Sequence, residues 1–269
     1  MTKFEYAKAI AAIVDGEVKE VDKANGIVRT GILKRAEGNI APTIYIDDMY
    51  DDGISIEEAV AHVNKAFESN DVQGFMTNNQ NESLDWVNDF DKVKSKLRAR
   101  LYNKKTKAEV YRSAEAFGFD DLIIVPYIVD VLPISDGLTS IKVTRDLFNS
   151  WNISEDTLFR TALYNCRQDV VKQTMAEMLS GIMSLPMPDL GIPMYVITNT
   201  SKAYGAIGII SEIDNFTREF PNGFSVIPSS VHEVIVVEAG MEGLADMIKD
   251  VNRTEVDEID QLSDHEYNF

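Results

Sequence analysis

The chain has 269 residues, 45% of them hydrophobic, which is enough to bury a core and argues against intrinsic disorder. Its 44 acidic and 26 basic residues give a formal net charge of −18, which repels nucleic acids and anionic membranes and favours a cationic partner. The one cysteine, Cys166, excludes an internal disulfide and a multi-cysteine zinc site, and we expect a buried thiol on a helix. The N-terminus has no apolar signal segment and no apolar run reaches the length of a membrane span, so we expect a cytoplasmic location without membrane association.

The first ninety residues alternate helical patterns with short extended patterns. Apolar residues spaced three and four apart predict helices, Asn25-Gly26 is a common tight-turn pair, and Ser55 with Glu58 forms a capping-box pattern at the start of a helix. The predicted elements, in chain order, are a helix at 3–14, strands Glu17–Val21 and Ile27–Leu33, an extended segment at 41–46, a helix from Ser55 to Glu68, and a helix at Leu84–Asp91.

The middle of the chain contains a long apolar run followed by helical patterns. The run Leu122–Leu132 predicts one buried strand, and Ser135-Asp136-Gly137 predicts a turn into a partner strand at Leu138–Val143. Capping residues open the next two helices. The predicted helices are Thr144–Trp151, Ser154–Cys166 and Asp169–Leu179.

A segment rich in proline and glycine, Gly181–Pro193, gives the clearest predicted boundary, because three prolines and two glycines disfavour a continuous helix or strand. The elements predicted beyond it are strands Met194–Ile197 and Ala206–Ile210, helix Glu212–Phe220, strands Phe224–Ile227 and Val234–Val237, and helix Met241–Val251. The sequence therefore predicts an α+β fold of two lobes: an N-terminal α+β lobe at 1–180, a connection at 181–193, and a C-terminal lobe at 194–269 with a ββαββα antiparallel sheet and packed helices.

Several sequence blocks resemble those of an uncharacterised bacterial family that is catalogued as a domain of unknown function. The blocks are Met194-Tyr-Val-Ile-Thr-Asn199, Tyr204-Gly-Ala206, Ile227-Pro-Ser-Ser-Val-His-Glu-Val234, Val251-Asn-Arg-Thr-Glu-Val256, Leu262-Ser-Asp-His265, Asn39-Ile-Ala-Pro-Thr-Ile-Tyr45 and Trp151-Asn-Ile-Ser154. They span nearly the whole chain, and the resemblance implies no activity and no catalytic residue.

A short polar segment between two predicted strands contains residue types found in hydrolases: Ser229, Ser230, His232 and Glu233. A nucleophile and its base must converge in space, whereas neighbours along a strand point apart, and no Gly-x-Ser-x-Gly elbow surrounds these serines. A hairpin connection whose hydroxyls bond the turn backbone, with a structural histidine, explains the same residues. Both interpretations stay open.

Two further groups contain ligands that metal ions prefer. Asp264 and His265 could join His232 in a metal site or an acid/base pair if the C-terminus folds back. Their spacing does not match a known metal-binding motif. The alternative is an ordered C-terminal tail held by hydrogen bonds. The carboxylates of Asp47-Asp48 and Asp51-Asp52 lack the spacing of a calcium loop, and they also suit the N-terminal end of the helix that follows. No metal and no cofactor is predicted.

The region 92–107 is wholly basic within this acidic chain. Five of its cations alternate with uncharged residues and would share one face of a strand, where they could contact phosphates. Tyr102 is the one aromatic residue of this region, so stacking of nucleic-acid bases on it has little support. We prefer the alternative that these cations compensate the negative charge of the chain itself. The cations are Lys92, Lys94, Lys96, Arg98, Arg100, Lys104, Lys105 and Lys107.

The acidity is concentrated at the C-terminal end. Residues 233–269 carry 11 acidic and two basic residues, a net charge of −9 and half the total of −18. We therefore predict that a set of carboxylates, called here the acidic surface, contacts a partner. The acidic surface comprises Glu242, Asp246, Asp250, Glu255, Asp257, Glu258 and Asp260.

Three functional hypotheses follow from these patterns. The preferred one is a non-enzymatic acidic binding or regulatory protein that engages a basic protein partner, in its sharper version as a nucleic-acid mimic. The second is a hydrolase or metal-dependent enzyme that uses the Ser229–Glu233 and Asp264-His265 segments, and the third is a nucleic-acid binder through Lys92–Lys107. Phosphate-binding loops, dinucleotide-binding glycine motifs and zinc-finger spacings are absent from the sequence.

Overall fold

Three antiparallel sheets with packed helices make up the molecule, in a computed structural model that describes residues 1–34, 41–69, 72–74, 77, 83–132, 138–183 and 193–269. The α+β class predicted from the sequence is confirmed. Within these described residues, no helix is both long enough and apolar enough to cross a bilayer. The predicted turn Ser135-Asp136-Gly137 and residues 184–192 of the predicted connection lie outside the described residues.

The first sheet and its helices have a hydrophobic core of their own. Their elements are α1 (Lys3–Val14), β1 (Glu17–Asp22), β2 (Val28–Leu33), β3 (Thr43–Tyr45), α2 (Asp47–Asp51) and α3 (Ile56–Phe67). Thr2 caps α1 and Ser55 caps α3, each in a capping box that satisfies amides at the start of the helix. The buried side chains of this core run from Tyr6 to Phe67, so the first sheet does not depend on the later sheets for its core.

The second sheet is built around a strand that is buried along nearly its whole length. Its elements are α4 (Phe90–Val93), β4 (Leu97–Asn103), β5 (Arg112–Ser113), β6 (Leu122–Val129), β7 (Ser140–Lys142), α5 (Arg145–Ser150) and α6 (Glu155–Gln168). The buried strand, β6, pairs with β4 on one side and with β5 and β7 on the other. Helix α6 packs on β4, where the Cys166 thiol accepts a hydrogen bond from the Ala99 amide at 3.2 Å. Burial raises the pKa of this thiol to about 11, as suits an unreactive structural cysteine.

The third sheet has five strands in the order β12-β10-β11-β9-β8. Its elements are β8 (Val170–Thr174), α7 (Met175–Met183), β9 (Met194–Asn199), α8 (Ile209–Glu219), β10 (Phe224–Ile227), β11 (Val234–Glu238), α9 (Leu244–Thr254) and β12 (Tyr267–Asn268). Helix α9 packs on one face of this sheet through Leu244 and Ile248, which contact Ile227 and Val237. This packing directs the polar side of α9 away from the sheet.

The second and third sheets share one hydrophobic core, whose buried residues run from Val87 to Tyr267. Strand β8, which precedes the predicted connection at 181–193, is an edge strand of the third sheet. The sheet predicted for the C-terminal lobe therefore includes a strand that the sequence assigned to the N-terminal lobe. The division into lobes at that connection stays a prediction.

Two predicted elements are wrong, and one of the errors concerns a short apolar run. The predicted strand Ala206–Ile210 is a 3-10 helix, Gly205–Gly208, that continues into α8 at Ile209. The predicted helix Asp169–Leu179 is β8 followed by α7. A short apolar run such as Ala206–Ile210 does not distinguish a strand from a buried helix. In Asp169–Leu179 the pairing of the first five residues after Asp169 with β9 overrides the helical pattern. The predicted helix Leu84–Asp91 is a 3-10 helix at Asp85–Asn88 followed by α4.

Candidate functional site

The acidic surface lies on α9 and on the segment that follows this helix. Six of its seven carboxylate residues are exposed, and Asp260 is the half-buried exception. Asp250 forms an ion pair with Arg253 at 3.0 Å, in which both side chains are about three-quarters exposed. In the described part of the chain, no cation pairs with the other five exposed members, which are Glu242, Asp246, Glu255, Asp257 and Glu258.

Exposed apolar side chains lie beside the acidic ones on α9. Asp246 and Asp250 are four residues apart and form one row along the helix, and Met247 and Val251 form the adjacent row. Met247 is 46% exposed and Val251 is 39% exposed. A surface that combines carboxylates with a flexible apolar methionine suits a partner segment that is both basic and apolar.

An amide network fixes the backbone of the segment after α9. The Asn25 side-chain amide donates to the carbonyl oxygens of Glu258 and Gln261, both at 2.6 Å. The Gln261 amide in turn donates to the carbonyl oxygens of Asn252 at 2.7 Å and Val256 at 3.0 Å. The acidic side chains of this segment therefore project from a backbone that side-chain amides bind at four carbonyl oxygens.

The segment Ser229–Glu233 connects β10 to β11 as a hydrogen-bonded turn. The Ser230 hydroxyl accepts a hydrogen bond from the backbone amide of His232 at 3.1 Å, and the Ser230 amide donates to the Glu233 carbonyl oxygen at 3.1 Å. In the described structure, neither Ser229 nor Ser230 bonds to an imidazole ring. These contacts are those of a polar hairpin connection, and they do not form the nucleophile–base pair that a hydrolase needs.

Both ring nitrogens of His232 are engaged. Nδ1 accepts a hydrogen bond from the Tyr204 amide at 3.2 Å, and Nε2 lies 3.5 Å from Oδ2 of Asp260. Because Nδ1 accepts, the proton of the neutral ring resides on Nε2 and faces the Asp260 carboxylate. His232 thus positions the loop that contains Tyr204, and no free imidazole nitrogen is left to take a proton from a serine.

Asp264 and His265 contact different parts of the molecule. Asp264 accepts a hydrogen bond from the Asn252 side-chain amide at 2.9 Å. The His265 ring lies 4.9 Å from the Tyr267 ring, and ligand atoms of Asp120, Asp121 and His265 lie within 4.8 Å of one another. The described contacts of His265 are therefore separate from those of His232, so the metal or acid/base pair that the sequence offered for the two histidines has no supporting contact.

The carboxylates at 47–52 neutralise cations of the chain itself. Asp47 is almost wholly buried, and its carboxylate accepts the Thr30 amide at 2.9 Å and the Lys3 ammonium at 3.2 Å. Lys3 also reaches Asp51 at 3.3 Å, and Arg29 pairs with Asp48 at 3.1 Å. The first turn of α2 thus uses its acidic residues to join this helix to α1 and β2.

The basic region 92–107 is not one continuous strand, because β4 begins only at Leu97. The cations before Leu97 lie on α4 and on the 3-10 turn that follows it, so the predicted shared strand face is wrong for them. Four of the cations pair with carboxylates, which supports charge compensation. These pairs are Lys92–Asp89 at 3.5 Å, Lys94–Asp91 at 2.8 Å, Arg98–Asp169 at 2.8 Å and Lys107–Asp22 at 2.7 Å.

Arg100 is the member of this region whose role the sequence did not reveal. It is only 6% exposed, and its guanidinium lies between the rings of Tyr127 at 4.0 Å and Tyr204 at 3.6 Å. The alternation of charges along 92–101 marked Arg100 as one cation among several. Tyr204 is distant in sequence, so nothing in the pattern could pair it with Arg100.

Comparison with known proteins adds one finding. A family model described as a family of unknown function, DUF5688, matches residues 5–269. The chain belongs to this family. The resemblance to a domain of unknown function, which the sequence blocks predicted over nearly the whole chain, is confirmed. No curated protein and no solved structure matches the DUF5688 chain.

Proposed function

We propose that this chain is a non-enzymatic binding protein that engages a basic protein partner through the acidic surface. The observation that carries the proposal is the lack of a cation partner for five exposed carboxylates within the described structure. Burying these carboxylates against Lys or Arg side chains of a partner would supply the missing counter-charges. By contrast, half of the cations in the basic region already pair with carboxylates of the chain.

Two further features support binding at this surface. Met247 and Val251 add apolar area next to Asp246 and Asp250, and apolar contacts supply affinity that charges alone do not. The amide network around Gln261 holds the acidic segment in place before a partner arrives. We further propose a cytoplasmic location, which suits the buried and unpaired Cys166.

A charge-reversal experiment tests the proposal. We expect the immobilised wild-type chain to retain a basic protein from a lysate of its source cells at ~0.1 M salt and to release it at ~1 M, where the Debye length falls from about 10 Å to about 3 Å. The double variant Asp246→Lys/Asp257→Lys should fail to retain this protein. The captured protein would then be purified, and its dissociation constant for each variant would be measured by titration.

The matched control reverses two exposed carboxylates that do not belong to the acidic surface, in Glu20→Lys/Asp214→Lys, with the same change of net charge. This control should bind the captured protein like the wild type. Equal loss of binding in both double variants would mean that only net charge matters and would contradict a local acidic surface. Competition by duplex DNA for the same captured partner would support the sharper proposal of nucleic-acid mimicry.

The enzyme and nucleic-acid hypotheses have less support. The hydrolase hypothesis lacks a free imidazole nitrogen near Ser229 or Ser230, since both ring nitrogens of His232 are engaged. The nucleic-acid hypothesis depends on the cations of 92–107, four of which pair with carboxylates. Neither arrangement offers the convergent groups that its chemistry needs.

A further inference from the structure

A cleft of about 280 Å³ lies between β4 and the loop that joins β9 to α8. Its volume is close to the lower end of the ~300–1,000 Å³ that is usual for small-molecule sites. It is called here the Arg100 cleft, and its lining includes Arg98, Arg100, Asp130, Thr200, Tyr204 and Ile207. This cleft is separate from the acidic surface, and the two share no residue.

Within the described residues, the Arg100 cleft contains a buried cation that is not paired with a carboxylate. The Arg100 guanidinium carbon packs over the Tyr127 and Tyr204 rings, and Nη2 donates to the Ser140 hydroxyl at 3.0 Å. Among the residues that the structure describes, no carboxylate contacts Arg100, whereas the neighbouring Arg98 donates to Asp169 at 2.8 Å. A buried charge is costly unless it is paired, so Arg100 is poised to receive an anion from outside the chain.

The loop over the cleft is held in an uncommon backbone conformation. Lys202 and Tyr204 have φ angles of 54° and 56°, in the left-handed region that residues with side chains seldom adopt. The Asn199 side chain accepts from the Ala203 amide at 3.1 Å, and His232 accepts from the Tyr204 amide at 3.2 Å. Such conformations persist where surrounding contacts impose them, and they occur often at ligand sites. The result here is a Tyr204 ring fixed against Arg100.

The same contacts indicate which groups are left to recognise a ligand. The amides of Lys202, Ala203 and Tyr204 all donate within the protein, so they are not available to a ligand. Among the groups that line the cleft, the planar guanidinium of Arg100 and the exposed hydroxyl of Thr200 can contact a ligand. A guanidinium edge matches the paired oxygens of a carboxylate or a phosphate.

The other lining residues restrict the ligand further. Asp130 also lines the cleft, and its carboxylate would repel a second negative group, so a molecule with a single oxyanion fits better than a polyphosphate. Ile207, Val129 and Leu138 contribute an apolar wall. We propose that the Arg100 cleft binds a small organic molecule through one oxyanion group, a carboxylate or a phosphate, that contacts Arg100.

Titration of the full chain with defined anions tests this proposal. The probes are inorganic phosphate, acetate and benzoate, each compared with chloride at the same ionic strength and followed by NMR of the Tyr204 and Gly205 amides. We expect the chemical shifts of these amides to change and then saturate with at least one probe as its concentration rises to ~10 mM. This concentration is ten times a millimolar dissociation constant. Shifts with phosphate alone would assign a phosphate ligand, and stronger binding of benzoate than of acetate would assign an apolar carboxylate.

The variant Arg100→Gln should weaken the binding of the active probe by roughly 10- to 100-fold, which is the usual effect of losing a hydrogen bond to a charged group. Arg160→Gln is the matched control, because Arg160 is 80% exposed on α6 and does not line the cleft. Equal binding by both variants would overturn the proposal. If Arg100→Gln does not fold, the wild-type titration decides, because absence of any shift beyond the chloride control would also overturn it.

Discussion

At the scale of single residues, the loop before α8 depends on a position where only glycine fits. A Cβ atom at Gly205 would lie 2.5 Å from the Asn199 nitrogen and 2.7 Å from the Thr198 carbonyl carbon. Both are backbone atoms, so the contact cannot be relieved by a change of rotamer. The close approach lets the Gly205 amide donate to the His232 carbonyl oxygen at 3.0 Å, which ties this loop to the turn between β10 and β11.

Gly205→Ala should therefore lower the free energy of unfolding by about 1–3 kcal/mol, the usual cost of overpacking, as measured by urea denaturation. Gly181→Ala provides the control, since Gly181 lies in α7 and a Cβ atom added there would meet no atom of the described residues outside its own helix within 4 Å. We expect that substitution to be neutral or to stabilise the helix by up to about 1 kcal/mol. Equal costs at the two positions would contradict the close packing of Gly205.

At the scale of elements, β12 is held to the third sheet by strand pairing and by aromatic packing. This strand has only two residues and pairs with β10. Just after it, the Phe269 ring stacks on Phe224 with centroids 4.9 Å apart and meets the edge of Phe119 at 5.6 Å. Burial, together with donation of the Tyr267 hydroxyl to Asp121, raises the pKa of Tyr267. These contacts join β12 to both the second and the third sheet.

Phe269→Ala should lower the free energy of unfolding by about 2–3 kcal/mol, somewhat less than the cost at a fully buried phenylalanine, because the ring is only partly buried. Chemical denaturation followed by circular dichroism would measure the loss. Tyr164→Ala removes an aromatic ring that is 66% exposed on α6 and should change stability by less than about 0.5 kcal/mol. A Phe269→Ala protein as stable as the wild type would show that the stacking does not anchor β12.

The elements that sequence patterns predicted well have strong local signals. The capping box at Ser55 and the long apolar run of β6 predicted α3 and a buried strand, since a cap and a long apolar run leave few alternatives. The pattern was ambiguous where an apolar run was short, as at Ala206–Ile210. The β-branched residues of β8 pair with β9, and Thr174 then caps α7, so a segment with a helical pattern is split into a strand and a helix.

At the scale of the whole molecule, several tyrosines share a response to alkaline pH. The hydrogen bond to Glu219 and burial raise the pKa of Tyr195 to about 12, and burial raises the pKa values of Tyr102, Tyr127 and Tyr267. The ordinary tyrosine pKa is 10.0. Above that pH the folded chain binds more protons than the unfolded chain, so its stability falls as pH rises.

We therefore expect the tyrosines to make the free energy of unfolding decrease as pH rises from 10.0 toward about 12, in addition to the decrease that the Cys166 thiol causes above its ordinary pKa of 9.0, as measured by urea denaturation at each pH. Tyr195→Phe should reduce this slope, because it removes one of the groups that resist ionisation in the folded state. Tyr111→Phe, which removes a hydroxyl from a ring that is 54% exposed, serves as the control. An unchanged slope in Tyr195→Phe would contradict the contribution of this residue.

Sequence alone determined the α+β class, the membership of a family of unknown function, and the concentration of acidic charge after residue 233, because each depends on composition or on local pattern. Tertiary structure decided which charges are already paired. It joined Arg98 to Asp169 and enclosed Arg100 between Tyr127 and Tyr204, while five exposed carboxylates of the acidic surface have no cation partner within the described residues. The physical reason is that ion pairing and desolvation depend on distances of a few ångströms between residues far apart in the chain, and periodicity contains no information about those distances.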